Sequence, residues 1–284
     1  VLVLLLLGVP TLYMAFFLGY PVARAIYLSM TNLALTGPQA AHSQFIGLNN
    51  YTTLFTSAQF WDSFKDSLEY LVGSAIVGQV VLGFLLAVFV GHLPKLARSV
   101  LLGVMVIAWV IPEIVAAFVW SGYLSTPSGL LDRLLGLAGV PPIPWLYGHA
   151  MTSLVIANSW RGVAFTVLVL GAALEAVPKE ILESAKVDGA SEWALLRRIR
   201  LPLIRTPIAT VLALTTLWTL ADFTLVFVLS AGTGNATDVI PVYTYLQSFS
   251  FYALGYGTAL SLVLLLVACG LAYTYVRLGA ARAR

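Results

Sequence analysis

The sequence predicts an all-α integral membrane protein with six transmembrane helices and a cytoplasmic helical hairpin between the fourth and the fifth. Three observations predict it. Hydrophobic residues make up 60% of the 284 and charged residues only 10%, with a mean hydropathy of +0.93. That is too apolar for a soluble domain of this size. Six apolar runs are each about 20 residues long, enough to cross a hydrocarbon core of roughly 30 Å. Between the fourth and fifth run lies one charged island: residues 174–205 hold 11 charged side chains in 32 positions, in a chain with 15 basic and 12 acidic residues altogether.

The runs cover about residues 1–28, 70–91, 99–121, 151–173, 206–229 and 253–276. The first lacks a basic region and a small-residue cleavage pattern, so it is expected to be a span, with further residues ahead of Val1, rather than a signal peptide. The second, Tyr70 to Val90, carries no charge. Of the outer connections, residues 45–61 hold Gly47, Asn49, Asn50, Tyr51, Phe60 and Trp61, a pattern suited to a short interfacial helix. Residues 125–149, with Pro127, Gly129, Pro141, Pro142, Pro144 and Trp145, read as an irregular but packed cap. The aromatic residues here also suit an ordinary interfacial belt. With no internal repeat or low-complexity tract, residues 1–284 are expected to form a single transmembrane domain.

Orientation follows from the basic residues. Lys95, Arg98, Lys179, Lys186, Arg197, Arg198, Arg200, Arg205, Arg277, Arg282 and Arg284 are 11 of the 15, and all fall in residues 92–98, 174–205 or the tail from Arg277. The outer loops hold only Lys65 and Arg133. The positive-inside rule therefore places both termini in the cytoplasm. The net charge of +3 and isoelectric point near 9.0 reflect this bias and give no sign of nucleic acid as a partner. A single cysteine, Cys269, excludes a disulfide framework and a cysteine metal cluster. His42, His92 and His149 share no ligand spacing, and the chain contains no G-x-x-x-x-G-K-[ST], H-E-x-x-H or G-x-S-x-G motif. No catalytic residue, metal or cofactor of its own is expected.

The hairpin can be built from local rules. Pro178 suits a helix start, where its missing N–H is not needed. A short helix over 179–187 then places Ile181, Leu182 and Ala185 on one face, and Gly189 supplies a left-handed turn. A second short helix carries Trp193, Leu196 and Ile199 as an apolar stripe, with Pro202 expected to end it. Neither helix is long enough to be stable alone in water. Each needs a cover, either the chain's own bundle or a partner.

Three charged residues lie well inside the spans: Glu113, Arg161 and Asp222. Each costs roughly 2.5–3.5 kcal/mol at a helix centre, so they should face a cavity or one another. Pro112, directly before Glu113, is expected to loosen the third helix there.

The hairpin motif Glu183-x-Ala185-x-x-Asp188-Gly189-Ala190, followed by Ile199-x-Leu201-Pro202, closely resembles the loop signature of integral-membrane permeases in binding-protein-dependent ABC importers. Gly47 to Tyr51 with Phe60-Trp61, Ser159-Trp160-Arg161-Gly162, Asp222-Phe223, Gly232-Thr-Gly234, Pro241-x-Tyr243-x-Tyr245 and Leu254-Gly255-Tyr256 are similar to the sugar-permease branch of that family. The chain departs at Ser184, where the family usually has Ala, and at Asn235, where it often has Pro.

The resemblance implies one of two membrane subunits of a maltose-transporter-type carbohydrate importer in a bacterial or archaeal cell membrane. Its partners would be a second, similar permease, two cytoplasmic ATPase subunits carrying ATP and Mg, an extracytoplasmic sugar-binding protein, and membrane lipid. Glu183, Ala185, Asp188, Gly189, Ala190, Ile199, Leu201 and Pro202 would form the element coupled to the ATPase, with Glu183 fixing the hairpin or the ATPase contact by a charged hydrogen bond. The substrate path would draw on Glu113, Asn158, Trp160, Arg161, Trp218, Thr219, Asp222, Phe223 and Tyr256, polar groups for sugar hydroxyls and rings for its C–H faces. Phe165 lies close by in sequence. The alternative for the charges is an ion pair that only holds the bundle together, and for Asn158 an interhelical hydrogen bond. Alternative cargoes are a glycerol phosphodiester or a polyol, and the more distant alternatives are an ion-coupled secondary transporter and a scaffolding membrane protein.

Overall fold

The computed structural model describes residues 2–230 and 237–280. The Gly232 to Gly234 motif, Asn235, Arg282 and Arg284 lie outside the described residues. Helix α1 runs unbroken over residues 2–29, α2 over Asn49–Thr56 and α3 over Ala58–Gly91. Helices α4 (Lys95–Val110) and α5 (Glu113–Leu124) follow, then α6 (Leu130–Gly136) and α7 (Ala150–Glu175). The hairpin is α8 (Lys179–Val187) and α9 (Glu192–Leu203). The chain continues as α10 (Arg205–Leu220), α11 (Thr224–Ser230), α12 (residues 240–250) and α13 (Leu254–Ala280). Among the described residues no strand forms, only an isolated bridge between Thr31 and Phe45.

Four stretches are long and apolar enough to cross a membrane: Pro10–Ser29, Ala58–Gly91, Ala150–Glu175 and Leu254–Tyr275. Two bent pairs, α4 with α5 at 102° and α9 with α10 at 70°, bring the number to six if each crosses as one. The third expected span is therefore not a loosened helix but a broken one. Pro112 lacks an N–H and forces Ile111 out of the helical region (φ −55°, ψ 129°), so the axis turns sharply there. The fifth expected span is also broken, at residues 221–223 between α10 and α11.

The chain divides into two compact units, one holding the residues up to Phe64 with Ile240–Val267, the other Lys65–Val239 with the chain from Ala268. In the first, Leu54, Phe60, Ile240, Tyr243 and Leu260 form the core. The buried Asn50 amide donates to the carbonyls of Ser29 (2.7 Å) and Thr31 (2.8 Å), tying α2 to the end of α1. These carbonyls belong to the last turn of a helix and just beyond it, where no intrahelical N–H reaches them.

In the second unit α3 lies along α7, with Val80, Ala87, Val90, Val167, Leu170 and Val211 as the shared core. Their backbones approach closely. A Cβ at Gly162 would meet the Gln79 amide carbon at 2.2 Å, so only glycine admits that side chain. Small residues at such crossings are what let membrane helices pack without a hydrophobic driving force between them. In the cap, α6 places the buried Asp132, whose Oδ1 accepts from the Trp145 indole (2.9 Å) and the Ile143 N–H (3.2 Å).

The two short helices α8 and α9 form where the local rules place them. Gly189 sits at φ +82°. The Ala190 N–H donates to the Ala185 carbonyl (2.9 Å) and the Gly189 N–H to that of Lys186 (3.0 Å), the doubly bonded ending that a left-handed glycine permits. Ser191 caps α9 by accepting from the Ala194 N–H (3.3 Å). Two expectations need correction. Pro202 does not end the second helix: wider i→i+5 turns over Leu196–Arg200 open the ladder ahead of it, the helix reaches Leu203, and the bend falls at the buried Ile204. The residue that α9 turns inward is Leu195, fully buried, while Trp193 of the expected stripe is 67% exposed.

Candidate functional site

Both helix breaks open onto one cavity of about 520 Å³ in the second unit. Irregular backbone is tolerated at membrane depth where it lines such a space. Helix α3 contributes Gln79, α4 Trp109, α5 Glu113, α7 Asn158, Arg161 and Phe165, α10 Trp218 and Thr219, and the second break Asp222 and Phe223.

The three intramembrane charges meet here. Arg161 Nη1 lies 3.3 Å from Glu113 Oε2, and Arg161 Nη2 lies 3.9 Å from Asp222 Oδ2. Asp222 is the deepest, with its side chain only 1% exposed. The Tyr70 hydroxyl donates to its Oδ2 (2.6 Å). The Leu225 N–H donates to Glu113 Oε1 (3.1 Å), and lies 3.4 Å from Asp222 Oδ1. Two carboxylates thus meet the positive end of α11, where unsatisfied N–H groups point outward. One guanidinium, one phenol and one backbone donor hold two acids, and the buried Arg161 Nε is left without a hydrogen-bond partner among the described residues.

Beside it lies a neutral polar group. Asn158 Nδ2 donates to Ser74 Oγ (3.0 Å) and Thr219 Oγ1 (3.2 Å), and the Asn158 carbonyl accepts from Gln79 Nε2 (3.3 Å). Ser74 and Gln79 both sit where α3 is wound in wider i→i+5 turns, Leu71–Val81. Such turns recur at functional positions because they re-aim side chains across a helix face. Aromatic rings close one wall: Trp109 against Phe165 at 5.6 Å, and Phe165 against Trp218 at 5.0 Å between centroids. Polar groups and these three rings, packed tilted and edge-on, thus line one cavity.

Of the expected path residues, Glu113, Asn158, Arg161, Trp218, Thr219, Asp222 and Phe223 line this cavity. Trp160 does not. It turns about 100° from Arg161 around α7 and packs edge-on against Trp120 at 5.8 Å. Tyr256 belongs to the other unit, where its hydroxyl lies 3.2 Å from that of Tyr243. Gln79, Trp109, Tyr70 and Ser74 were not anticipated. Gln79 had a signal, as the only side-chain amide in an otherwise apolar span.

In the hairpin, Ala185, Gly189 and Ala190 form the helix ending already described. Lys186 and Glu192 clasp its two helices at 2.6 Å, and this hydrogen bond holds the Glu192 carboxyl below the usual carboxylate range. Glu183 and Asp188 are exposed, Leu201 and Ile199 partly buried, and Pro202 exposed. Lys186 and Glu192 pair across the turn, whereas the Glu183 carboxylate has no hydrogen bond or ion pair with the described residues.

A family model described as binding-protein-dependent transport system inner membrane component matches residues 79–279. The chain is 32% identical over 246 residues to a probable ABC transporter permease of Sinorhizobium fredii, covering 86% of this chain and 79% of that protein. It is 31% identical over 241 residues to a trehalose/maltose transport permease of Thermococcus litoralis, covering 83% and 80%. A chain in the crystal structure of a bacterial alginate ABC transporter, in complex with an alginate pentasaccharide-bound periplasmic protein, shares the fold. Its TM-score is 0.79 at 22% identity, covering 96% of this chain and 92% of that one.

Proposed function

The chain belongs to the family of binding-protein-dependent transport-system inner-membrane components, and from that we propose that it is one permease half of an ATP-driven carbohydrate importer. The observation that carries the carbohydrate reading is the cavity. Its hydrogen-bonding groups, Asn158, Thr219, Gln79 and the Arg161 network, line it together with the rings of Trp109, Phe165 and Trp218. A sugar offers hydroxyls to the first set and C–H faces to the second. A phosphodiester fits less well, because among the described residues Arg161 is the only cation lining the cavity and two carboxylates already claim it.

In this reading the chain forms a single six-span domain with both termini in the cytoplasm. It pairs there with a second permease and receives sugar from an extracytoplasmic binding protein. Glu183, Asp188 and the exposed Trp193 present the hairpin to one of two ATPase subunits, which hold ATP and Mg. A short hairpin made rigid by the Gly189 ending and the Lys186–Glu192 clasp converts closure of the ATPase into movement of α7 and α10, a rigid-body switch. The chain itself is a transport subunit with no catalytic residue. An ion-coupled transporter would use Glu113 and Asp222, but it gives the hairpin no task.

In proteoliposomes holding the assembled importer, Trp218→Ala is expected to raise the half-saturating concentration of sugar-loaded binding protein or lower the maximal uptake rate. The change should be about tenfold, the worth of one good ring contact. Trp160→Ala, off the cavity, should change either by less than about twofold. Equal effects from both would contradict the placement of sugar on the aromatic wall.

A further inference from the structure

A second cleft, of about 330 Å³, lies between the ends of α3, α4 and α7 beside the hairpin. In the orientation proposed above this end faces the cytoplasm. Its walls are apolar, formed among others by Val88, Leu102, Val167 and Leu168, and its mouth carries His92, Arg98 and Arg200. Arg98 is neutralised by an ion pair with Glu175, the one carboxylate among the described residues lining the cleft. His92 holds the Val88 carbonyl through Nδ1 (2.7 Å), leaving Nε2 for another group. Glu192 lies within electrostatic reach of Arg200 and His92, but its hydrogen bond goes to Lys186. The Arg200 guanidinium has no hydrogen-bond or ion-pair partner among the described residues.

We infer that this cleft holds the headgroup and upper chain of one anionic phospholipid from the cytoplasmic leaflet. A soluble anion would match Arg200 but leave the apolar walls wet. A zwitterionic lipid would cover the walls but bring Arg200 no net charge. Basic pockets between membrane helices on the cytoplasmic side suit anionic headgroups for this reason. The lipid touches both the spans and, through Arg200, the second hairpin helix, so it braces the hairpin against the bundle.

The test uses the assembled importer in nanodiscs of phosphatidylcholine with or without phosphatidylglycerol, followed by native mass spectrometry of lipid retained after detergent extraction. Wild type should keep one phosphatidylglycerol in preference to phosphatidylcholine. Arg200→Gln should weaken that retention about fivefold, the worth of one cation near an anionic headgroup, and Arg200→Lys should keep most of it. Gly171 lines the cleft, and a Cβ there meets nothing within 4 Å. Gly171→Phe should therefore fill the space and abolish retention. Gly103, exposed on α4 and not among the residues lining the cleft, gives a control: Gly103→Phe should change nothing. Equal retention of the two lipids, or retention unaffected by Gly171→Phe, overturns the inference. So does displacement of the lipid by millimolar inorganic phosphate. If Gly171→Phe fails to assemble, the Arg200→Gln and Arg200→Lys pair decides. Failure here would leave sugar uptake and its dependence on Trp218 untouched, so the two readings fail separately.

Discussion

Replacing Arg161 by leucine is expected to destabilise the permease by about 3 kcal/mol, because it strands a nearly fully buried carboxylate beside a second one. The Tyr70 hydroxyl and the Leu225 N–H still reach Asp222 but bring no full charge to balance it. The unfolding midpoint of the solubilised complex, or its yield, reads this out. The informative variant is the double one. Arg161→Leu with Asp222→Asn removes the deeply buried charge, leaves only the less buried Glu113 carboxylate, and should recover most of the stability. If the network also serves the sugar, uptake stays low despite recovered stability. If the double variant transports normally, the charges only hold the bundle, and the hydrogen-bonding side of the site reduces to Asn158, Thr219 and Gln79.

A second large effect is expected at Gly162. A leucine there drives a Cβ to 2.2 Å from the Gln79 amide and extends into the cavity. Overpacking of this kind costs about 1–3 kcal/mol. Uptake should fall at least tenfold, while the binding protein's own affinity for sugar, measured apart, is unchanged. Pairing Gly162→Ala with Gln79→Ala relieves the clash and should restore assembly. Should that double variant also restore full uptake, Gln79 is a packing residue and not a wall of the sugar site.

Much of this architecture was legible because its signals are local. Apolar runs marked the membrane helices. Pro178 and Gly189 marked the bounds of the first hairpin helix to the residue, since a helix start and a left-handed ending are decided within a few positions. The meeting of Glu113, Arg161 and Asp222 was legible for a different reason: charges at membrane depth must find each other or a cavity. What was missed depends on tertiary approach. Tyr70 looks like an interfacial aromatic until α3 brings it to Asp222. Trp160 adjoins Arg161 in sequence, yet one helical step turns it to another face. The depth of the break at Pro112 also escaped, because a proline alone permits anything from a slight kink to the 102° turn seen. In α9 the 3.6-residue stripe was drawn through Trp193, whereas the bundle is covered by Leu195.

In the proposed function a separate ATPase moves this chain through the 174–205 hairpin. The most direct test is ATP hydrolysis by the reconstituted complex, with and without sugar-loaded binding protein, comparing wild type with Glu183→Ala and Gly189→Pro. Glu183 is exposed and unpaired within the described chain, so its loss should leave the fold intact and act only through a partner. In both variants the ATPase subunits should co-purify less, or hydrolysis should lose its dependence on the binding protein. Full assembly with undiminished stimulation in both variants would contradict the proposed function and leave the hairpin as a connection between two spans.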